Sequence, residues 1–329
     1  MTSALPFDDF RTLLRNVPEA NSFAGGRARE RLNQIGSAGA GLGRMADLAE
    51  WLATWSSRPP AVNRPLVALF AANHGIAAQG LAAGALSDTG AMVDHCAAGG
   101  AAVSQLCGAN DLGLKVFDLA LDVPTQDFTG EAAFDERGCA ATMAFGMEAV
   151  AGGFDLVALS SFGVGSELAA SAVITALRGG KASDWIVAED TDLARRQADA
   201  IDGALAFHGA GNLRDPLEVL RRVGGREIAA IAGAIIAART ERIPAVLDGM
   251  SAIAAATLLH AVNADAIAHC CFASTTGLAA VDRLVGDLGA TPLLDLKLTQ
   301  PGVAASMAAM TVKSAAQIFA GVRALPGGN

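Results

Sequence analysis

No tyrosine occurs among the 329 residues, and aromatic residues make up only 5% of them. So few rings argue against a surface that stacks nucleic-acid bases, and a formal net charge of −9 argues the same way. The five cysteines are an odd number with no C-x-x-C spacing. Cys270 and Cys271 are neighbours, so on a strand their side chains face opposite ways. Buried free thiols in a cytoplasmic protein are therefore expected. The start, MTSALPFDDFRTLL, lacks the basic residues and apolar core of a signal peptide. No apolar run is long and uninterrupted enough for a membrane span, because 226–238 carries Arg226 and Glu227 and is followed by Arg239. His95, His208, His260 and His269 are scattered without metal-ligand spacing. There is no Walker loop, and Gly163-x-Gly165 alone does not make a dinucleotide fingerprint. No metal or cofactor is expected, and neither nucleic acid nor a membrane is expected as a partner.

What is abundant is alanine and glycine within a chain that is 52% hydrophobic. Such a composition suits helices packed tightly on a sheet, in a chain long enough for one large domain or two smaller ones. Residues 1–60 read as amphipathic helices, with Phe7, Phe10, Leu13 and Leu14 on one face and Leu48, Trp51, Leu52 and Trp55 following. The glycine-rich segment 36–43 reads as a loop between them. Strand and helix patterns then alternate. Strands are expected at 65–71, 114–120, 155–160, 243–248, 267–273 and 291–296. Helices are expected at 89–109, 138–152, 167–178, 192–208, within 215–239, at 250–262 and 278–288, and from about 304. Residues 82–91 read as a long, mobile loop. This alternation predicts an α/β fold: a mainly parallel, Rossmann-like sheet flanked by helices on both faces. The terminal segments, 1–63 and 297–329, are expected to form a small helical domain beside the large α/β domain at 64–296.

The run DPLEVLRRVGGREIAAIAGAIIAARTERIPAVLDG at 215–249 carries the most information. Asp215 can cap a helix whose first turn accepts Pro216. Gly224-Gly225 breaks that helix. Ile228, Ile231, Ala232, Ile235 and Ile236 then recur at helical spacing among small residues that permit close backbone packing. Ala245-Val246-Leu247 reads as a buried strand ending at Asp248-Gly249. Ligands of open α/β sheets sit at the carboxyl ends of strands, so Asp248 marks a candidate site. Asn73 and His74 mark another, after the strand-like LVALFAA.

The 215–249 run also resembles the nicotinate-nucleotide–dimethylbenzimidazole phosphoribosyltransferase family of cobalamin biosynthesis. So do PFDDFRTLL near the N-terminus, Asn73-His74-Gly75, the Ala98–Ala102 segment, LGLKVFDLALDVPT at 112–125 and ATMAFGMEAVAGGFDL at 141–156. These matches are collinear and span nearly the whole chain. The resemblance implies a homodimer, with a small-molecule nucleotide and an aromatic base as partners. It also implies phosphoribosyl transfer from nicotinate mononucleotide to 5,6-dimethylbenzimidazole, giving α-ribazole 5′-phosphate and nicotinate. Such a reaction needs a phosphate site, a slot for a flat base and an acceptor for the nitrogen's proton.

Carried over residue by residue, the resemblance places Gln300 where the family has its catalytic glutamate, in a Leu-Gly-Glu-Gly turn. An amide can accept a hydrogen bond but does not take a proton at neutral pH. A second family glutamate corresponds to Ser161, in a turn that keeps Gly163 and Gly165 and continues into Ser166-Glu167. A helix N-terminus attracts anions, and Glu167 would place the protein's own charge there. The family's Gly-Pro-Gly-Thr-Gly loop corresponds to an acidic, glycine-free interval at 181–192. Arg196 stands at a family lysine, and Ala82 and Ala91 at polar base-contacting positions. The candidate substrate-binding set is thus Asn73, His74, Ala82, Ala91, Ser161, Gly163, Gly165, Ser166, Arg196 and Asp248, with Gln300 at the catalytic position. The alternative expectation is a catalytically inactive relative that binds a nucleotide, a base or a protein partner.

Overall fold

The computed structural model describes residues 6–324; the ends of the two expected terminal segments, 1–5 and 325–329, lie outside the described residues. Four helices come first: α1 (Asp8–Arg15), α2 (Ser22–Gln34), the short α3 (Ser37–Ala40) and α4 (Arg44–Ser56). Next are β1 (Pro65–Ala71), α5 (Leu86–Ala97), α6 (Ala102–Ala109), β2 (Gly113–Asp118), α7 (Glu136–Ala149) and β3 (Leu156–Phe162). Then come α8 (Ser166–Arg178), α9 (Thr191–His208), α10 (Pro216–Val223), α11 (Arg226–Thr240) and β4 (Ala245–Leu247). The order closes with α12 (Met250–Val262), β5 (Cys270–Phe272), α13 (Ala279–Asp287) and α14 (Val303–Gly321).

The strands form one five-stranded sheet in the order β2-β1-β3-β4-β5, with every pairing parallel. β1 is buried at every position, which is why it reads as an unbroken apolar run: a central parallel strand is covered on both faces. Alternation along it divides the core. Leu66, Ala68 and Phe70 join the core that contains α7, α8, α11 and α12. Val67, Leu69 and Ala71 face the other layer, with α6 and α14. Side chains one apart on a strand point to opposite faces, so one strand serves both cores. β2 lies at the sheet edge and is only partly covered.

Four local expectations are corrected. The helix expected at 89–109 is two helices, parted at Gly99-Gly100, where Gly99 has a positive φ of 78°. The long loop expected at 82–91 is helical from Leu86 onward, because the Asp88 carboxylate reaches back to the Ala85 amide and closes the first turn. The strand expected at 291–296 does not form. Leu293 and Leu294 donate to Phe272 and Ala273 at the end of β5, leaving a single bridge between Ser274 and Leu294, and Pro292 has no N–H with which to extend it. The segment expected as a loop at 36–43 contains the single turn α3.

α2, α4 and the end of α14 share a small core of Ala28, Leu32, Ala46, Ala49, Ala53 and Phe319. α1 lies elsewhere, with Phe7, Phe10 and Leu14 in the core against α12. α14 is long and apolar enough to cross a membrane by composition, yet Ala304, Ala305, Ala308, Ala309 and Val312 are buried in the second core layer. Packing on the sheet accounts for its hydropathy.

Candidate active site at the carboxyl ends of the strands

The turn after β3 is built by close approach. A Cβ on Gly163 would stand 1.7 Å from the Ala72 carbonyl oxygen, and one on Gly165, where φ is 93°, would stand 2.8 Å from His74 Cβ. Only glycine permits this path. It delivers the chain directly into α8, whose N-cap, Gly165, supplies no side-chain cap. The Ser166 N–H is taken by the Gly163 carbonyl at 3.2 Å, which leaves the Glu167 and Leu168 N–H groups of the first turn available to a ligand.

This turn forms one wall of a cavity of about 470 Å³ at the carboxyl ends of β3 and β4, closed by the segments after β5 and before α14. The volume suits a small molecule. Ala82, Ser161, Gly163, Gly165, Ser166, Asp248 and Gln300 all line it. Residues from distant parts of the chain thus converge, as expected where parallel strands end.

Asn73, His74, Ala91 and Arg196 do not line the cavity. Asn73 is buried, and its Nδ2 donates to the Leu86 and Leu121 carbonyls at 3.0 and 3.2 Å. Its Oδ1 accepts from Thr89 Oγ1 at 2.6 Å, so the side chain ties the loops after β1 and β2 together. His74 is fully buried behind the cavity wall, with Nε2 3.3 Å from Ser166 Oγ and 3.1 Å from Glu227 Oε2. Ser251, which lines the cavity, donates to Glu227 Oε1 at 3.3 Å. His74 and Glu227 therefore reach the cleft only through two serines. Ala91 and Arg196 are exposed on α5 and α9; on α9 it is Leu193 and Gln197 that face the cleft.

Asp248 is the most perturbed group at the cavity. Its Oδ2 accepts from Ser160 Oγ at 3.0 Å and from the Ala305 amide of α14 at 3.2 Å. Oδ1 has no hydrogen-bond partner among the described residues and meets the cleft. Burial pushes its pKa from 3.8 up to about 6, against the opposing pull of those two hydrogen bonds. Glu167, in the first turn of α8, is open to the solvent of the cleft, yet desolvation by the surrounding protein raises its pKa as well. The Gln300 side chain is exposed at the cleft and has no hydrogen-bond partner among the described residues.

Glu189 and Asp190, from the acidic interval that the resemblance set against the family's glycine-rich loop, line the wall, whereas sequence reasoning missed Gln197 and Ser251 as wall residues and Glu227 as the support behind them. Glu227 had a signal: it is the one acid of α11, next to a run from Ile228 to Ala238 that is entirely small or apolar. The others had none, since only the fold brings them together. With them the cleft shows a one-sided charge pattern. Glu167, Glu189, Asp190 and Asp248 line it, and among the described residues no Lys, Arg or His does. No group of three or more His, Cys, Asp or Glu able to hold a metal ion occurs among the described residues.

A parallel α/β sheet with a ligand-sized cleft at its strand ends defines an α/β protein with a candidate small-molecule site. The family model described as "Phosphoribosyltransferase" matches residues 17–326. The nicotinate-nucleotide–dimethylbenzimidazole phosphoribosyltransferase of Rhizobium etli (strain CIAT 652) is 51% identical over 324 residues, covering 97% of this chain and 96% of its own. The protein of the same name from Sinorhizobium medicae is 49% identical over the same span and coverage. A crystal structure of the enzyme so named from Thermus thermophilus matches with a TM-score of 0.83 at 28% identity, over 92% of this chain and 97% of that one. The chain belongs to the nicotinate-nucleotide–dimethylbenzimidazole phosphoribosyltransferase family.

Proposed function

We propose that this protein transfers the phosphoribosyl group of nicotinate mononucleotide to 5,6-dimethylbenzimidazole in the cobalamin lower-ligand pathway, releasing nicotinate and giving α-ribazole 5′-phosphate. The observation that carries this reading is the full-length family match joined to a cleft at the strand ends, into which seven of the carried-over positions converge. The phosphate is assigned to the uncapped N-terminus of α8, where backbone N–H groups and the helix dipole supply the positive potential that side chains do not. The flat base is assigned to the side of the cleft with Ala82, Asp248 and Gln300. Holding both reactants in one cavity supplies much of the rate, because it removes the entropy of bringing them together. Homodimerisation and a cytoplasmic location follow from the family relationship as part of this proposal.

A second reading is favoured by one specific feature. Four carboxyl side chains and no cationic one line the cleft, and Gln300 stands where the family has its glutamate. These features suit a relative that binds a base or nucleotide without turning it over. The two readings part in one experiment: purified protein is titrated with each substrate and then incubated with both while nicotinate release is followed. Nicotinate release, with a product of α-ribazole phosphate mass that is absent from heat-killed protein, supports the transferase. Binding without release supports the second reading and refutes the first.

A further inference from the structure

Resting on the transferase reading, we infer that Asp248 is the proton acceptor of this chain, acting through its free Oδ1 in place of the glutamate that Gln300 has displaced. Three observations converge on it. Gln300 lines the cleft but its amide cannot take up a proton near neutrality. Asp248 lines the same cleft and is bound to the helix that follows the Gln300 turn, through the Ala305 amide. Its two protein hydrogen bonds both fall on Oδ2, so one oxygen is held and oriented while the other faces the cavity.

The step balances as follows. One ring nitrogen of the benzimidazole uses its lone pair to bond to the ribose C1′. The C1′–nitrogen bond to nicotinate breaks, and its electron pair leaves with nicotinate. The azole now carries positive charge and an acidic N–H at its other nitrogen. Asp248 Oδ1 accepts that proton and later releases it to water.

The other charged groups lining the cleft are Glu167 on α8 and Glu189 and Asp190 before α9. All are carboxylates, and like charge disfavours ionisation. Burial has already moved Asp248 to about 6, a value suited to a base that must be ionised near neutral pH yet still accept a proton. Glu167 is the competing candidate. It sits in the first turn of α8, at the end of the cleft assigned to the phosphate.

The test is Asp248→Asn in the full-length protein, assayed with nicotinate mononucleotide and 5,6-dimethylbenzimidazole from about pH 5 to about pH 8. Asparagine keeps an oxygen for Ser160 and the Ala305 amide but does not accept a proton, so a merely structural role survives the substitution. Wild type should lose kcat as the pH falls through about 6. The variant should lose kcat roughly 10²-fold or more, lose that acid limb, and keep its KM for nicotinate mononucleotide. Adding Gln300→Glu to Asp248→Asn should restore turnover. Ser160→Ala provides an independent check should the asparagine variant fold poorly: loss of its hydrogen bond moves the limb to higher pH. Glu167→Gln should retain the limb. An active wild type with an equally active Asp248→Asn variant and an unchanged limb overturns the assignment and leaves the transferase reading intact. A wild type that releases no nicotinate overturns both.

Discussion

Replacing Gly233 with alanine tests the packing that holds this fold together. Alanine is the better helix former by about 1 kcal/mol, so on propensity alone the variant gains stability. Tertiary structure predicts the reverse. A Cβ at Gly233 would stand 1.9 Å from the Met143 carbonyl oxygen, 2.7 Å from its carbon and 3.0 Å from Met143 Cα. The facing glycine on α7 is equally close: a Cβ at Gly146 would lie 1.8 Å from the Ala230 oxygen. Comfortable carbon–oxygen separation is about 3.3 Å or more, so the helices must part by roughly 1.4 Å at the crossing. The obstructing atoms are backbone, so no rotamer change relieves the clash. Every residue of α11 from Glu227 to Arg239 is buried, so the helix has no free side to move towards. Overpacking costs about 1–3 kcal/mol and occasionally more. A clash with backbone on a fully enclosed helix belongs at the upper end, about 3–4 kcal/mol. Subtracting the propensity gain leaves a net loss of about 2–3 kcal/mol. At roughly 2–4 °C per kcal/mol, Tm should fall by about 5–10 °C. Thermal and urea unfolding followed by circular dichroism measure this directly. Gly146→Ala should cost about as much, and the double variant less than the sum, because the helices have already separated. A Gly233→Ala protein as stable as wild type, or more stable, refutes the reasoning.

Three further outcomes are expected. Glu167→Gln removes a carboxylate from the N-terminal turn of α8, an effect of about 0.3–1 kcal/mol on an anion bound there; KM for nicotinate mononucleotide should fall by roughly two- to five-fold, and an unchanged or higher KM contradicts phosphate binding at that turn. Asp248 has a folded pKa of about 6 against an ordinary value of 3.8. The native state therefore binds the extra proton, and stability from this group is highest below the ordinary value and is lost as the pH rises from about 4 to about 6. Its contribution is of order 3 kcal/mol, so Asp248→Asn should gain in Tm relative to wild type on going from about pH 4 to about pH 8; a difference that is flat with pH argues that the carboxyl is not desolvated. Gln300→Glu alone should raise kcat by supplying a second proton acceptor, read as faster nicotinate release; no gain places the limitation in substrate binding instead.

Much of the scaffold was legible because its signals are local. β1 follows its apolar run residue for residue. The break between α10 and α11 falls at Gly224-Gly225, and α12 spans the expected 250–262. The errors have equally local causes. Small-residue composition carried a helical pattern across Gly99-Gly100, although the positive φ at Gly99 marks a break. Leu293 and Leu294 look like a strand but reach only the end of β5, where little sheet remains to pair with. The position of Asp248 at the cleft wall was legible from its place at a strand end, whereas the inward turn of a polar residue was not. Asn73 and His74 follow the same strand and suggest ligand contacts, yet their partners are Leu86, Thr89, Leu121, Ser166 and Glu227.

By itself the sequence determined the alternation of strand and helix, the parallel sheet this implies, and the family to which the chain belongs. Periodicity, turn residues and collinear motifs are properties of neighbours along the chain, and they survive without coordinates. Tertiary structure alone decided that α11 meets α7 at facing glycines, that His74 and Glu227 pair behind the cleft wall, and that Glu167, Glu189, Asp190 and Asp248 share one cavity lined by no cationic side chain among the described residues. It also decided the state of Asp248, because a pKa depends on what surrounds the carboxyl in space, and here that is a buried strand end, Ser160 from β3 and an amide from α14, contributed by segments far apart in the chain.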